Sequence, residues 1–354
     1  MNTLSRFQTP PPSIPTGTSW YIADLGEAKG KQALFTHQAP QKLKALREHS
    51  LIESAVSSNR IEGVEVDERR VGTVIFGKAL LRDRDEEEVR GYRQALELIH
   101  SKGAQLPISE DTIRQLHSLS RGGIGDAGEY KTKENDIIEV FPTGRREVRF
   151  KTVRAAGTPA AMTELIENWN AVLHNRTVHP LVALGAFNLD FLCIHPFRDG
   201  NGRTSRLLFL LLCYHLGLEV GRYISLERLI EQHKERYYET LKLSSQGWHK
   251  DRHDPWHAIN FLLYTLIEAY REFEGRVGET ASPRGAKTEA ILRSIRSIES
   301  PFRIADLQRA CPEAGIELIR QVLKKLRSEG RVECVGRGQQ ARWRRLSDQM
   351  GTTQ

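Results

Sequence analysis

A polar segment, residues 195–206, separates two runs that are rich in apolar side chains. Phe187–Ile194 precedes the segment and Leu207–Leu212 follows it. Apolar runs of this kind within helical patterns predict helices that are buried on most sides. The chain must therefore fold so that a polar loop is held between two packed helices. This requirement constrains the fold more than any other feature of the sequence.

The composition of the segment predicts an anion site. Pro196, Gly200 and Gly202 break the first helix and open a tight turn, and glycine allows the backbone to approach a ligand closely. Free N–H groups at the start of the following helix attract anions. Arg203 and Arg206 are three residues apart and share a helix face. Two guanidinium groups beside such a helix start suit a polyphosphate.

Two further side chains of the segment can take part in chemistry. Asp199 offers oxygen ligands for Mg²⁺ held jointly with phosphates. His195 is titratable, and a neutral imidazole there can take a proton from an attacking hydroxyl. Each feature alone has an ordinary structural reading, for example Gly-Asn-Gly as a turn. Their conjunction predicts a phosphoryl- or nucleotidyl-transfer site.

The segment His195–Arg206 resembles the Fic-family motif HPFx(D/E)GNGRxxR at every fixed position. The resemblance covers roughly Pro40 to Arg276. Fic proteins are mostly adenylyltransferases, which move AMP from ATP onto a Ser, Thr or Tyr hydroxyl of a protein. The resemblance therefore implies ATP as the substrate, Mg²⁺ as the cofactor and a protein as the acceptor, with the chain itself among the candidate acceptors.

The resemblance also implies a role for each residue of the motif. His195 would be the general base, Asp199 would bind Mg²⁺ on the α- and β-phosphates, and Phe197 would be a packing anchor. Arginines would clamp the β- and γ-phosphates, while an asparagine and nearby N–H groups would hold phosphate. The implied ATP-binding residues are Gly200, Asn201, Gly202, Arg203 and Arg206.

A β-like pattern lies upstream of the motif. Two short runs around a Pro-Thr-Gly turn predict a hairpin within Glu129–Thr152. By resemblance this hairpin is the flap, which aligns a target segment by strand pairing. It departs from common forms of the flap in Asp136 and in the basic pair Arg145 and Arg146. These departures bear on the choice of target and not on the main chemistry.

A second signature follows the predicted helix Pro40–Ser58. Taken alone, Ser58 to Gly63 reads as a helix end at which glycine stops the helix. Beside the first motif it resembles the Fic inhibitory motif (S/T)xxxE(G/N). Glu62 would then pair with Arg206 and occupy the γ-phosphate site. The same glutamate supports a competing role, in which it orients a water that removes AMP from a modified protein.

The sequence predicts a mainly α fold: a Fic-type helical core with one β-hairpin flap, plus a C-terminal winged helix-turn-helix. The prolines near the start predict an extended arm over residues 1–39. The core follows over residues 40–277, with the inhibitory helix at about 40–63 and the flap at about 129–152. A linker is predicted at 278–287 and the winged module at 288–347. The other predicted helices are Asp85–Lys102, Ser109–Ser120, Pro159–Leu173, Pro180–Ile194, Asn201–Leu216, Ser225–Leu243 and Pro255–Arg271.

Positive charge is concentrated at the C-terminal end. The formal net charge of the chain is +7. The segment Gly285–Ser347, which holds 14 Lys/Arg and 7 Asp/Glu, accounts for all of it. Three short helices and a hairpin are predicted there, an order that resembles a winged helix-turn-helix. Its recognition helix would be Ile316–Glu329, and DNA is the simplest acidic partner. The alternatives are a solvated basic surface or a protein partner. The candidate nucleic-acid contacts are Arg320, Lys324, Lys325 and Arg337.

Several classes of protein are disfavoured by composition. No run of about 18 apolar residues is present, which argues against a membrane span. The four cysteines are far apart and form no CxxC, so neither a zinc site nor a disulfide framework is expected. Cysteines without such a framework favour a cytoplasmic location. Three functions stay open: an auto-inhibited adenylyltransferase, a DNA-binding regulator with a nucleotide-sensing core, and a phosphotransferase that moves another group. An intact His195 favours the first, and the resemblance also allows a homodimer.

Overall fold

The computed structural model describes residues 2–36, 40–77, 80–123, 125–140, 143–278, 286–298, 301–311, 314–336 and 341–346. The chain divides into two compact units, Met1–Gly275 and Arg276–Gln354. Helices dominate both units, and an antiparallel strand pair accompanies them in each. The predicted mainly helical fold class is therefore confirmed. No helix in the described ranges is long and apolar enough to cross a membrane.

The first unit is built from helices around one strand pair. Its strands are β1 (Ile137–Val140) and β2 (Arg146–Phe150), which confirms the predicted hairpin, although residues 141 and 142 of its turn lie outside the described residues. Its helices are α1 (Thr3–Gln8), α2 (Thr16–Thr36), α3 (Pro40–Ile61), α4 (Glu68–Phe76), α5 (Arg84–Lys102), α6 (Glu110–Ser120), α7 (Thr158–Asn175), α8 (Pro180–Ile194), α9 (Asn201–His215), α10 (Leu226–Gln232), α11 (Lys234–Ser245) and α12 (Trp256–Gly278), which extends past residue 275.

Helices α8 and α9 form the centre of this unit. Nearly every side chain of both helices is buried, as their apolar sequences require. Helix α8 begins with Pro180 at its first position, where the missing N–H costs no hydrogen bond. Helix α12 packs closely on it, because a Cβ at Gly185 would lie 2.9 Å from the Ile259 side chain. The loop between α8 and α9 is thus fixed by packed elements on both sides.

The predicted extended arm over residues 1–39 is wrong, because α1 and α2 occupy most of it. The Asn2 side chain accepts a hydrogen bond from the Ser5 N–H (2.8 Å) and caps α1. Leu4 and Phe7 are buried. The prolines fall between the two helices, where they interrupt helical structure without extending the whole segment.

One further helix prediction is corrected, and the structure adds one helix that the sequence does not predict. The predicted helix Ser225–Leu243 is in fact two helices, α10 and α11, which meet at His233 in a non-helical conformation. Helix α4 was not predicted from the sequence. It begins where Asp67 accepts a hydrogen bond from the Arg69 N–H (2.9 Å).

The second unit contains α13 (Ala286–Ser297), α14 (Ile304–Ala310), α15 (Ile316–Ser328), β3 (Val332–Val335) and β4 (Arg342–Arg345). This order of three helices and a strand pair agrees with the sequence-based prediction, while the winged-helix assignment stays a prediction. Of the predicted linker, Gly278 belongs to α12 and residues 286–287 to α13, and residues 279–285 lie outside the described residues. The core of the unit is formed by Ile291, Ile295, Phe302, Leu307, Cys311, Ala314, Ile319, Val322, Leu323, Leu326 and Val332.

Candidate active site

Two residues of the loop between α8 and α9 have a left-handed backbone conformation. His195 has φ +55° and ends α8, where its N–H donates to the Phe191 carbonyl (2.9 Å). Gly200 has φ +79° and precedes the first turn of α9. Left-handed backbone is uncommon for a residue other than glycine, and such residues concentrate at functional sites. The loop therefore presents the start of α9 and the His195 ring together.

His195 has the protonation state that a general base needs. Its Nδ1 lies 3.2 Å from the Leu192 carbonyl oxygen, so Nδ1 carries the proton and Nε2 keeps a free lone pair. Burial lowers the pKa of His195 to about 4, and the positive charges of Lys131 and Arg149 act in the same direction. The ring is therefore neutral at neutral pH.

Asp199 is an ionised carboxylate held by arginines. Its Oδ1 accepts from the Gly200 N–H (2.7 Å), and its Oδ2 accepts from Arg121 (2.7 Å) and Arg84 (3.3 Å). Desolvation alone would raise the pKa of Asp199, but Arg121, Arg203 and Arg84 together hold that pKa below its ordinary value. The side chain is exposed, so its oxygens are accessible to a cation bound with phosphates.

Arg203 is fixed by a buried acid. Its Nη1 donates to Oε2 of Glu88 (2.5 Å) and to Oδ1 of Asn59 (3.2 Å), and both partners of the ion pair are buried. Oε1 of Glu88 accepts from Arg121 (2.6 Å). Oε1 of Glu88 also accepts from Arg84 (2.9 Å), so one glutamate orients three arginines beside the loop. Neither Glu88 nor Arg121 was identified from the sequence.

Arg206 forms hydrogen bonds with residues of the second signature. Its Nε donates to the Ser58 hydroxyl (2.8 Å) and its Nη2 to Oε1 of Glu62 (2.8 Å). Glu62 lies over the first turn of α9, where a Cβ at Gly202 would be 2.1 Å from its Oε1. Gly63 follows α3 with φ +83°. The structure therefore brings Ser58, Glu62 and Arg206 together.

Asn201 acts on the shape of the loop. Its Oδ1 accepts from the Phe197 N–H (2.9 Å) and its Nδ2 donates to the Phe197 carbonyl (2.7 Å). The side chain that the resemblance assigns to phosphate is thus occupied by the loop itself, which leaves its backbone N–H at the start of α9 for an anion. Phe197 is fully buried, as expected for a packing anchor.

His117 positions the loop and was also not identified from the sequence. Its ring is parallel to that of Phe197 with centroids 3.7 Å apart. Its Nδ1 accepts from the Gly128 N–H (2.8 Å), so its Nε2 donates to the Asp199 carbonyl (2.9 Å). Burial lowers the pKa of His117 to about 4, so the ring is neutral at neutral pH. The only cue in the sequence was a histidine on the predicted helix Ser109–Ser120.

Four guanidinium groups around this site each have a donor without a hydrogen-bond partner among the described residues. The buried nitrogens without a hydrogen-bond partner among the described residues include Nε of Arg121, Nε of Arg149, Nε of Arg203 and Nη1 of Arg206. Buried donors are almost always paired in proteins, and an unpaired one is costly. A ligand rich in acceptor oxygens, such as a polyphosphate, would satisfy them.

A cavity of about 220 Å³ opens beside the loop. His195, Gly202, Arg206, Glu62 and Arg149 supply its polar side. Its other lining residues are Ile137, Phe150, Leu189, Leu192, Cys193, Tyr237, Tyr238, Leu241 and Ser245. An apolar cavity with a few convergent charged groups is typical of a small-molecule site.

The candidate nucleic-acid residues lie in the other unit. Arg320, Lys324 and Lys325 are exposed on α15, and Arg320 is paired with Glu317 (2.5 Å). Arg337 lies outside the described residues.

Comparison with known proteins identifies the class that this fold and loop define. Residues 107–213 match the Fic/DOC family. A Fic family protein from Desulfovibrio desulfuricans G20 has a similar structure, with a TM-score of 0.61 and 25% identity over 97% of this chain and 99% of that one. The Fic domain signaling protein from Bacteroides thetaiotaomicron shares the fold (TM-score 0.59, 22% identity, 72% of this chain and 97% of that one). The chain thus contains a region similar to the Fic/DOC family, within a fold that resembles those of Fic proteins.

Curated relatives carry a more specific name. "Protein adenylyltransferase Fic" of Drosophila virilis is 24% identical over 217 residues, which are 60% of this chain and 41% of that protein. The protein of the same name from Drosophila melanogaster is 27% identical over 166 residues, 46% of this chain and 30% of that protein. The chain thus matches less than half the length of these relatives.

Proposed function

We propose that this protein is a protein adenylyltransferase, which transfers AMP from ATP to a Ser, Thr or Tyr hydroxyl of a protein. The observation that carries the proposal is the neutral His195 in one cavity with unsatisfied guanidinium donors. A base and an anion site in contact with the same space are what attack of a hydroxyl on a phosphate requires. The names of the relatives support the same reaction.

The geometry of the loop supports the following step. The hydroxyl oxygen of the target bonds to the α-phosphorus, its proton passes to Nε2 of His195, and the bond to the leaving pyrophosphate breaks. The N–H groups at the start of α9, with Arg203 and Arg206, hold the phosphate oxygens. Asp199 is the residue that would hold Mg²⁺, because it is ionised and exposed beside this helix start. When bound, the ion would neutralise phosphate charge.

We also propose that Glu62 inhibits this activity. Its carboxylate accepts a hydrogen bond from Nη2 of Arg206. This ion pair joins a buried guanidinium to a glutamate side chain that is 30% exposed. A γ-phosphate would need the same donor. Hydrogen bonds between charged groups contribute about 1.5–3 kcal/mol, so loss of this competitor would raise productive ATP binding by about 10- to 100-fold.

The test uses ATP labelled at the α-phosphate, Mg²⁺ and a cell lysate. The proteins compared are the wild type, Glu62→Gly, and Glu62→Gly combined with His195→Ala. We expect protein labelling to rise in the first variant by about 10- to 100-fold and to vanish in the second. Intact ATP binding without labelling in the Glu62→Gly variant would contradict the proposal.

A second candidate function uses the same cavity. Glu62 and His195 both line it, so Glu62 could orient a water against AMP already attached to a protein. The same labelled lysate separates the two functions. Release of AMP by the wild type and not by Glu62→Gly would favour removal of AMP over its addition.

For the second unit we propose a winged helix-turn-helix that contacts DNA. The proposal is supported by the order of its elements and by the exposed Arg320, Lys324 and Lys325 on α15. Positive side chains on the exposed face of one helix supply non-specific affinity for phosphates. The protein would then be an enzyme that also binds nucleic acid, or a DNA-binding regulator whose core senses nucleotide.

A further inference from the structure

Arg149 occupies an irregular position in the hairpin of the first unit. In the antiparallel ladder Ile138 is opposite Val148, and Ile137 is opposite Phe150. Arg149 is therefore the extra residue of a bulge and has no partner on β1. Bulges redirect a side chain and are frequent beside active sites. Here the redirected side chain lines the cavity that contains His195.

The guanidinium of Arg149 has no counter-ion in this cavity. Its Nε is buried without a hydrogen-bond partner, and it forms no ion pair with any carboxylate that the structure describes. Glu139, which makes the largest negative contribution to the electrostatics of Arg149, is itself paired with Lys242 (2.9 Å). Arg206, the other arginine of the cavity, is paired with Glu62 (2.8 Å). Of the two arginines that line this cavity, Arg149 is thus the one without an ion-pair partner among the described residues.

Electrostatics shows that Arg149 acts on the reacting end of the cavity. Its positive charge contributes to the lowered pKa of His195. Burial lowers the pKa of the Arg149 guanidinium itself. A charged group that is partly desolvated and unpaired destabilises the folded protein, so its place here is best explained by a ligand that arrives with negative charge.

We infer that Arg149 is a catalytic residue, which stabilises the negative charge on the non-bridging oxygens of the α-phosphate while the target hydroxyl attacks. The inference rests on the proposed function, since it takes the reacting phosphate to lie beside His195. Arg203 and Arg206 are already held by Glu88 and Glu62, and the resemblance assigns arginines of the motif to the β- and γ-phosphates. Arg149 adds a guanidinium at the reacting end, as arginine does in other phosphoryl-transfer sites.

The bonds in this step are those of the proposed reaction. The target oxygen forms its bond to the α-phosphorus, pyrophosphate leaves with its electron pair, and His195 receives the proton. Arg149 forms and breaks no covalent bond. Because its effect is greatest when charge accumulates on the phosphate, it should lower the barrier more than it strengthens ATP binding.

The experiment compares three variants in the Glu62→Gly protein. Arg149→Gln removes the charge, Arg149→Lys keeps a charge without the planar guanidinium, and Arg271→Gln is the matched control outside the hairpin. Arg271 is exposed on α12 and does not line the cavity. The initial rate of labelling from α-labelled ATP is measured at saturating ATP, and the ATP dissociation constant is measured by calorimetry with Mg²⁺.

Arg149→Gln should lower the labelling rate about 100- to 1000-fold, the range for loss of one preorganised donor, while the ATP dissociation constant changes less than about threefold. Arg149→Lys should recover part of the rate and Arg271→Gln should match the parent. A parental rate in Arg149→Gln would overturn the inference alone. So would a loss of ATP affinity as large as the loss of rate, since Arg149 would then anchor the ground state.

The failure of the proposed function has a different signature. The adenylyltransferase proposal is overturned if the Glu62→Gly parent shows no labelling, or if its labelling persists when His195→Ala is added. The role inferred for Arg149 is then overturned as well. Thermal unfolding of each variant identifies loss of the fold, and Arg149→Lys gives the test a variant that preserves size and charge.

Discussion

Single side chains around the α8–α9 loop are held in states that suit their proposed roles. His195 and His117 are both neutral because burial lowers their pKa values to about 4. Their hydrogen bonds differ, since His195 keeps a free lone pair on Nε2 while His117 uses both ring nitrogens. One histidine can therefore accept a proton, and the other can only support the loop.

The lowered pKa of His195 predicts how activity depends on pH. A general base acts in its neutral form, which for a pKa of about 4 persists well below the ordinary histidine range. The labelling rate of Glu62→Gly should therefore stay nearly constant from pH 7.5 down to about pH 5.5. The rate is measured across that interval after confirming by circular dichroism that the fold persists. A half-maximal rate near pH 6.5 would contradict this assignment.

Contacts between helices also position the candidate active site. Helix α1 starts against α8, where the buried Asp190 accepts from the Thr3 N–H (2.9 Å), the Leu4 N–H (3.0 Å) and Nε1 of Trp248 (2.8 Å). Helix α8 continues from Asp190 to His195 at its end. Burial raises the pKa of Asp190 to about 6, yet at neutral pH it is still a carboxylate that only accepts hydrogen bonds.

Asp190→Asn tests this connection. An amide presents N–H groups to partners that are themselves donors, so buried hydrogen bonds are lost. We expect the free energy of unfolding to fall by about 3 kcal/mol, measured by urea denaturation. Thr3→Val is the graded control, because it removes the hydroxyl donor to Asp190 and keeps both backbone N–H donors. Equal stability of Asp190→Asn and the wild type would show that α1 does not stabilise α8.

The sequence predicts the loop far better than it predicts what surrounds the loop. The residues from His195 to Arg206 are contiguous, so their chemistry and spacing can be read directly. Glu88, His117 and Arg121 reach the loop only through the packing of α5 and α6, and no local pattern marks them. The error over residues 1–39 has a similar cause, since α1 is stabilised by the distant Asp190 while the prolines dominate the local pattern.

At the scale of the whole molecule, the two units differ in charge and in proposed partner. The excess of positive charge lies in Gly285–Ser347, outside the unit that carries the candidate active site. A protein that combines both proposed activities would modify its targets from a position on DNA.

Nucleic-acid binding should show the salt dependence of counterion release. For the full chain and a duplex of about 20 base pairs, the logarithm of the association constant should fall linearly with the logarithm of salt concentration. Lys324→Ala combined with Lys325→Ala should reduce the magnitude of that slope by about 2 if both contact phosphates. Lys29→Ala with Lys31→Ala in α2 is the matched control. Binding that is absent at low salt, or insensitive to salt, would exclude the DNA contact.

The extra residue in β2 has a consequence for the length of the hairpin. Val148 and Phe150 pair with adjacent residues of β1, so they lie on opposite faces although they are two residues apart. Deletion of Arg149 would therefore leave a regular ladder with both faces unchanged, and the cavity would lose its guanidinium. In this hairpin, a change in residue count would alter the chemistry as effectively as a change in residue type.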